Sequence, residues 1–152
     1  MAEPTKTEGS MERLTCGSGT RSSLGEISSV GLNQDGSCIV VIARRGFSIL
    51  DVETCQPLYQ EYFHACGGVV REVEMLFQTS LLALVGGTAE SRGQLTMWNA
   101  RARCSICTLK FSSDICAVRL NHRRAVVLLK TKVHIFDLKT MKSLLVVDRE
   151  AP

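Results

Sequence analysis

From Ile27 onward, apolar residues alternate with polar ones or gather into short runs, and turn-forming residues interrupt these runs about every ten positions. This pattern indicates short β-strands. No segment keeps apolar residues at a period of about 3.6 for long enough to predict a helix. Residues 1–24 differ, because Ser, Thr, Gly and charged residues dominate them. We therefore predict a flexible leader over residues 1–24 and an all-β domain over residues 25–152.

The strand-like runs fall into three similar groups of four, which indicates an internal repeat. The third run of each group ends in a large apolar residue followed by Asp or Asn, as in Leu50-Asp51, Trp98-Asn99 and Phe136-Asp137. A WD repeat carries its Trp-Asp pair at this place, and four strands in about 40–45 residues are its period. The predicted fold is all-β: a partial β-propeller of about three four-stranded antiparallel blades.

Three blades do not close a propeller ring, because closure takes about 4–8 blades around a central channel. The second run of each group is apolar at successive positions, which is typical of a strand covered on both faces. Neighbouring blades cover those faces in a propeller, so a third blade without a fourth exposes a broad apolar surface. We therefore expect this chain to be part of a longer propeller, or to need a partner that covers that surface.

Composition argues against several classes of function. Aromatic residues make up only 5% of the chain, which leaves little for stacking on single-stranded nucleic acid, and the net charge of +3 does not require a polyanionic partner. No segment approaches the ~18–20 apolar residues that span a bilayer. The N-terminus has no secretory signal, so we expect the seven cysteines to be reduced thiols in the cytoplasm. We predict no nucleic-acid partner.

No cluster of residues argues for catalysis, a cofactor or a metal. The pair Cys104 and Cys107 has the spacing of redox or zinc motifs, but the sequence offers neither a βαβ unit nor a second ligand pair. A regular strand would also place the two sulfurs on opposite faces. His64, His122 and His134 are isolated in the sequence, and the alternation predicts an exposed His134. We predict a protein that is not an enzyme.

Specific segments, in order, are similar to blades one to three of the PROPPINs, the WD-repeat propellers that bind phosphoinositides. They are Leu32-Asn-Gln-Asp35, Arg45-Gly-Phe-Ser-Ile-Leu50, Val73-Glu-Met-Leu-Phe77, Leu81-Leu-Ala-Leu-Val-Gly-Gly87 and Ser113-Asp-Ile-Cys-Ala-Val-Arg-Leu120. The resemblance implies a seven-bladed fold and recognition of phosphatidylinositol 3-phosphate and the 3,5-bisphosphate. It also implies recruitment of autophagy proteins, with a cytoplasmic protein bound peripherally at the phagophore assembly site or endosomal membranes.

The resemblance places the family's lipid sites in blades five and six, beside a Phe/Leu-Arg-Arg-Gly motif. This chain contains Ala43-Arg-Arg-Gly46, but that segment falls in a predicted turn of blade one. Two adjacent arginines can pair with phosphate oxygens, yet a solvated turn that ends in Gly is the ordinary interpretation. We therefore predict no lipid-binding residue in this chain. The alternative function is a WD-repeat protein-interaction module with no lipid connection.

Partner binding is what the resemblance implies for these three blades. In the family, the Asn-Gln-Asp turn and a blade-two loop help to hold an autophagy lipid-transfer protein, and the matching residues here are Asn33, Asp35 and Arg92. The loop has Ser91 where the family usually has Pro before the Arg. For the turn, two interpretations stay open, because Asn and Asp are also preferred in turns for their own backbone hydrogen bonds.

A basic groove between blades two and three holds an autophagy conjugation partner in some family members. At the two arginine positions that we match, this chain has His122 and Lys139. Neither side chain reproduces the bidentate hydrogen bonds of a guanidinium group. We therefore expect weak binding of that partner, and we keep Lys139 as a candidate contact.

Overall fold

The computed structural model describes residues 23–148, and these residues form three four-stranded antiparallel sheets. The predicted leader lies outside the described residues except at its last two positions. Blade 1 contains β1 (Ile27–Leu32), β2 (Cys38–Ala43), β3 (Gly46–Asp51) and β4 (Pro57–Tyr62). Blade 2 contains β5 (Val70–Met75), β6 (Leu81–Gly86), β7 (Gln94–Asn99) and β8 (Cys104–Lys110). Blade 3 contains β9 (Ile115–Leu120), β10 (Arg124–Leu129), β11 (Lys132–Asp137) and β12 (Ser143–Asp148).

Each blade is a simple meander, in which strands pair in the order of the chain. Adjacent blades meet near their first strands, because β5 packs against β2, and β9 packs against β5 and β6. The first strands are therefore innermost and the fourth strands lie at the periphery, as in a propeller. This arrangement confirms the predicted partial propeller with three blades. No helix within residues 23–148 is long and apolar enough to cross a membrane.

The core consists of two apolar layers, one between each pair of neighbouring blades. We call the side of a blade that faces the next blade its front face, and the opposite side its back face. Strand β6 shows why its sequence is apolar at successive positions: Leu82 and Leu84 pack towards blade 1, while Ala83 and Val85 pack towards blade 3. Burying one such large aliphatic side chain contributes about 1.5–3 kcal/mol. The blades are thus held together chiefly by face-to-face packing.

The Asp or Asn that ends the third strand of each blade builds the following turn. Its side-chain oxygen accepts a hydrogen bond from the backbone N–H three residues later, at 2.8 Å from Thr54 to Asp51, 3.1 Å from Ala102 to Asn99 and 3.0 Å from Thr140 to Asp137. The next residue has positive φ in all three blades, at Cys55, Arg103 and Met141. Short polar side chains that bond nearby backbone favour such turns, which explains the repeated Asp or Asn.

The fourth strand of blade 2 corrects one expectation. In β8, Ile106 is an extra residue, since Cys107 pairs with Met97 and Ser105 pairs with Trp98. This β-bulge changes the alternation, so Cys104, which pairs with Asn99, lies on the same face as Cys107. The expectation of sulfurs on opposite faces is therefore wrong. Even so, the described residues contain no group of three or more His, Cys, Asp or Glu side chains that could hold a metal ion.

A second correction concerns His134, which is half-buried rather than exposed. Its ring lies 5.0 Å from the ring of Phe111 and 6.1 Å from that of Phe136, between centroids. His134 does point away from the side of Val133 and Ile135, as the alternation predicts. However, the side of β11 to which His134 points faces blade 2, so a neighbouring blade rather than water covers the imidazole.

A polar network ties the outer parts of blades 1 and 2 together around the buried carboxylate of Glu61. Trp98 Nε1 donates to the Tyr59 hydroxyl at 3.0 Å, and that hydroxyl donates to Glu61 Oε2 at 2.6 Å. Arg103 pairs with the same carboxylate oxygen at 3.0 Å, and its guanidinium carbon lies 5.2 Å from the centroid of the Tyr59 ring. Burial and the hydrogen bond to Glu61 raise the pKa of Tyr59 to about 12.

This network predicts a loss of stability at high pH. In an unfolded chain the tyrosine pKa is about 10, so the folded state, in which the pKa of Tyr59 is about 12, is favoured at lower pH and loses that advantage between the two values. We expect urea unfolding to show a larger loss of stability from pH 9 to pH 11 in the parent chain than in Tyr59→Phe. An equal loss in both proteins would contradict the shifted pKa.

Candidate partner-binding surfaces

The candidate residues are distributed over the two ends of the blades. The turn end carries the turns between first and second strands and between third and fourth strands; the loop end carries the remaining connections. Three turns meet at the turn end, because the side chains of Asn33 and Gln34 bond to Phe77 in blade 2 and Leu120 in blade 3. The strands that separate the two ends are mostly six residues long, which corresponds to roughly 20 Å.

Asn33 is built into the fold at the turn end. Its side chain is only 6% exposed. Oδ1 accepts a hydrogen bond from the backbone N–H of Cys38 at 2.9 Å. Nδ2 donates to Ser37 Oγ at 2.9 Å and to the carbonyl oxygen of Phe77 at 3.1 Å. These contacts satisfy most of the hydrogen-bonding capacity of the amide, so Asn33 holds the turn in place against the next blade.

Gln34 is a residue that the sequence interpretation missed. Its Oε1 accepts a hydrogen bond from the Phe77 N–H at 2.6 Å, and its Nε2 donates to the Leu120 carbonyl at 3.1 Å. One exposed side chain therefore connects all three blades near the propeller axis. Phe77, whose N–H donates to Gln34, has a φ of 46°, which is uncommon for a bulky residue and needs support from its surroundings. In the sequence, the only indication of a role for Gln34 is the Asn-Gln-Asp segment to which it belongs.

Asp35 presents an exposed carboxylate at the tip of the same turn. Its Oδ1 accepts hydrogen bonds from the Ser37 backbone N–H at 3.0 Å and from the Ser37 hydroxyl at 2.5 Å. These bonds from Ser37 lower the pKa of Asp35. The side chain therefore performs the predicted turn chemistry and also keeps a negative charge at the surface, where a partner could reach it.

Arg92 lies at the loop end, in the connection between β6 and β7, and its side chain is exposed. Ser91 shapes this loop: its Oγ accepts from the Thr88 N–H at 3.0 Å, and its own N–H donates to the Thr88 carbonyl at 3.1 Å. The Arg92 carbonyl accepts from the Ile115 N–H at 2.9 Å, which fixes the loop to blade 3. These bonds connect the two ends of the loop and tie it to blade 3.

The Arg-Arg pair of blade 1 also lies at the loop end. The backbone N–H groups of Arg44 and Arg45 donate to the carbonyls of Glu26 and Leu24, at 2.9 Å and 2.8 Å. Both arginine side chains are exposed. This is the geometry of a solvated turn, and nothing in it resembles an enclosed phosphate site.

Lys139 and His122 border a groove of about 410 Å³ between blades 2 and 3 at the turn end. We call it the blade 2–3 groove; its lining is Leu81, Met97, Ile106, Cys107, His122, Leu138, Lys139, Thr140 and Met141. Most of the lining is apolar, and the lysine is exposed at the rim. The His122 ring stacks in parallel on Phe77, with centroids 4.3 Å apart. The apolar floor of this groove was not visible in the sequence, because five separate segments line the groove.

The candidates therefore do not form one site. Asn33, Asp35 and Lys139 share the turn end, in blades 1 and 3, whereas Arg92 lies at the opposite end of blade 2. A single partner that contacts both ends must reach roughly 20 Å along a blade. The geometry is that of separate surface contacts, with no cleft in which reacting groups converge.

Comparison with known proteins identifies the family to which these blades belong. The sequence model of the PROPPIN family matches residues 26–151, which is most of the chain. This chain belongs to the PROPPIN family. Autophagy-related protein 18 of Kluyveromyces lactis is 38% identical over 126 residues, and that of Dictyostelium discoideum is 37% identical over 117 residues. These matches cover 81% and 76% of this chain but only 24% and 30% of the relatives.

Solved PROPPIN propellers confirm the fold. Hsv2 of Kluyveromyces marxianus superposes with a TM-score of 0.72 over 82% of this chain and 40% of that structure, at 17% identity, a likeness that shows the fold alone. The complex of KlAtg21 with a coiled coil of AgAtg16 superposes with a TM-score of 0.71 at 29% identity, over 81% of this chain and 39% of that one. The chain thus spans about a quarter of the curated PROPPIN relatives and two fifths of these solved structures.

The buried position of Asn33 predicts a structural phenotype. Replacing Asn33 with Ala leaves the Cys38 N–H without its acceptor, and a buried unsatisfied group costs about 1–3 kcal/mol. We expect urea unfolding to show a loss of this size for Asn33→Ala. Gln34→Ala serves as a comparison, since its exposed side chain also links the blades. An Asn33→Ala chain as stable as its parent would mean that the turn is held by other contacts.

Proposed function

We propose that this chain provides the protein-binding blades of an autophagy-related, phosphoinositide-binding scaffold that recruits autophagy proteins to membranes and catalyses no reaction. Membership of the PROPPIN family over residues 26–151 is the observation that carries the proposal. The relatives with about 38% identity are autophagy-related proteins, which supports the same cellular process. In this proposal the complete propeller is cytoplasmic and binds peripherally at the phagophore assembly site or endosomal membranes.

In this proposal the lipid contacts lie outside the present chain. The family resemblance assigns phosphatidylinositol 3-phosphate and 3,5-bisphosphate sites to blades five and six, whereas the described residues form three blades. The exposed turn of Arg44 and Arg45 offers two charges but no surrounding pocket. A phosphate at such a site is held only by solvent-screened charge, which contributes little. We therefore assign no lipid-binding residue to this chain.

Asp35 and Arg92 are the proposed contacts for the autophagy lipid-transfer protein. Both side chains are exposed, and neighbouring bonds fix the turn and the loop that carry them. Since they lie at opposite ends of the blades, the partner must bind as an extended segment of at least about six residues, or through two separate segments. Asn33 acts through the turn, as a positioning residue for Asp35.

Lys139 belongs to a second surface, the blade 2–3 groove. Its apolar lining suits the apolar face of an amphipathic helix, and the lysine at the rim suits an acidic residue beside that face. The complex of KlAtg21 contains a coiled coil of AgAtg16, which supports a helical partner for the related blades here. With His122 and Lys139 at the rim, we propose that apolar packing dominates this contact and that its ionic part is weak.

A WD-repeat interaction module without any lipid connection is the alternative. Its surfaces would be the same turns, loop and groove, since these belong to the three blades themselves. The family match over most of the chain favours the autophagy role. The two proposals differ in the identity of the partner, so a binding measurement separates them.

Charge reversal tests the two proposed contacts. We expect Asp35→Lys and Arg92→Glu each to weaken binding of the chain to an immobilised autophagy lipid-transfer protein about tenfold, which corresponds to about 1.4 kcal/mol. Matched controls are Glu53→Lys, an exposed acid at the turn end of blade 1, and Lys130→Glu, an exposed base at the loop end of blade 3. Equal effects of contacts and controls would show that only net charge matters and would refute the assignment.

Vesicle flotation tests the assignment of the lipid sites. We compare vesicles that contain about 3% phosphatidylinositol 3-phosphate with vesicles of equal charge that contain phosphatidylserine instead. We expect the 152-residue chain to float equally well with both. Arg44→Ala/Arg45→Ala is the matched variant. Flotation that depends on the 3-phosphate and is lost in this variant would place a lipid site in blade 1 and overturn the proposal.

A further inference from the structure

The internal repeat allows a comparison of the blade 2–3 groove with the equivalent position between blades 1 and 2. Tyr59 of β4 and Cys107 of β8 are equivalent, because each directly follows the β-bulge of its strand and lies on the front face of its blade. The turn of the following blade brings its positive-φ residue to this position, Arg103 beside Tyr59 and Met141 beside Cys107. The two positions therefore share a backbone arrangement but differ in their side chains.

Between blades 1 and 2, the phenol ring of Tyr59 occupies this position. Trp98 donates a hydrogen bond to its hydroxyl group at 3.0 Å, and the guanidinium group of Arg103 lies over its ring. Between blades 2 and 3, the thiol of Cys107 stands at the equivalent position, and the groove of about 410 Å³ opens beside it. The first interface thus shows which kind of group fits the second, namely an aromatic ring.

The sulfur atoms of the blade 2–3 groove favour the same kind of group. Met97, Cys107 and Met141 all contribute to its lining. Burial raises the pKa of Cys107, so its thiol stays neutral at neutral pH and acts as a small apolar group. Sulfur makes favourable contacts with aromatic rings, which an aliphatic side chain of similar size does not reproduce.

The charges around the groove indicate an acidic partner. Among the described residues that line it, Lys139 is the only Lys, Arg, Asp or Glu. Exposed bases at Arg101, Arg123 and Lys142 lie in the turns of the same two blades. The residues that connect paired strands at this end of blades 2 and 3 include no Asp or Glu. Each exposed charge contributes little by itself, but a set of one sign selects partners of the opposite sign.

We propose that the blade 2–3 groove binds an aromatic side chain from an acidic amphipathic helix of the partner protein, with the ring placed beside Cys107 as the ring of Tyr59 is placed between blades 1 and 2. Cys107 and Met141 are then the residues that determine specificity, because they leave the space open and line it with sulfur. The inference rests on the proposed function for the helical partner. It adds which side chain of that helix enters the groove.

Para-cresol, which is the side chain of tyrosine as a free molecule, tests the aromatic site without a partner protein. We expect it to shift the methyl NMR signals of Met97 and Met141 in the 152-residue chain, but not that of Met75, which is buried between blades 1 and 2. 4-Methylcyclohexanol has the same heavy atoms but no aromatic ring, so it should bind roughly two- to tenfold more weakly. Equal affinities, or equal shifts at all three methionines, would overturn the proposal.

Variants of Cys107 locate the site. Cys107→Phe supplies the ring from within the chain and should abolish the shifts, whereas Cys107→Ala should retain them. Phe is chosen over Tyr because Leu109 stands at the position equivalent to Glu61 and cannot accept a hydrogen bond from a hydroxyl group.

A control and a second blocking variant accompany Cys107→Phe. Cys116→Phe should keep the shifts, since Cys116 is exposed at the loop end of blade 3. Met141→Trp fills the groove from blade 3 and replaces Cys107→Phe if that variant loses its β-sheet circular dichroism. Shifts that persist in a folded blocking variant would contradict the proposal, and so would their loss in Cys116→Phe.

A helical peptide with Glu on one face and Leu on the other tests the chemistry of the partner. Replacing the central Leu with Phe should tighten its binding to the chain roughly two- to tenfold. Replacing every Glu with Lys should weaken binding about tenfold, since like charges then face each other. A Phe peptide that binds no more tightly than the Leu peptide would refute the proposal. That outcome leaves the autophagy role untouched, because the charge reversals and vesicle flotation test that role separately.

Discussion

The packing of flat apolar sheet faces against each other is the interaction on which this structure depends. Each blade alone is a four-stranded sheet with apolar side chains on both faces, and such a sheet cannot satisfy itself in water. Strand β6 is the extreme case, because it lies between two neighbours and buries Leu82 on one face and Ala83 on the other. The fold of this chain is therefore a stack, in which every blade is stabilised by the next.

Polar contacts then fix how the stacked sheets are oriented. Apolar packing is not directional, so it leaves the blades some freedom to slide and rotate. Gln34 limits that freedom near the axis through its bonds to Phe77 and Leu120, and Glu61 limits it at the periphery through Tyr59 and Arg103. The buried polar atoms of these networks have partners, as burial demands. Each network joins residues of different blades.

The surfaces proposed for partner binding are the turns, the loop and the groove, which do not belong to the packed faces of the blades. The tips of turns and loops project from a rigid stack, so exposed charges such as those of Asp35 and Arg92 are held at fixed places without any cost to the core. The blade 2–3 groove is lined by residues from the turn ends of two neighbouring blades. Membership of the PROPPIN family gives these surfaces a cellular context, while their positions follow from the blades alone.

The sequence by itself determined the repeat, the strands and the turns, because these depend on local alternation, on short polar residues at turns and on spacing. The alternation of Val133, His134 and Ile135 and the Asp or Asn after each third strand are read directly from it. Tertiary structure alone decided which alternating face meets a blade and which meets water, and so it half-buried His134 and buried Asn33. It also decided where the bulge in β8 turns Cys104 to the face of Cys107, and which distant segments line the groove. These outcomes depend on neighbours that are far apart in the chain, and no local pattern encodes them.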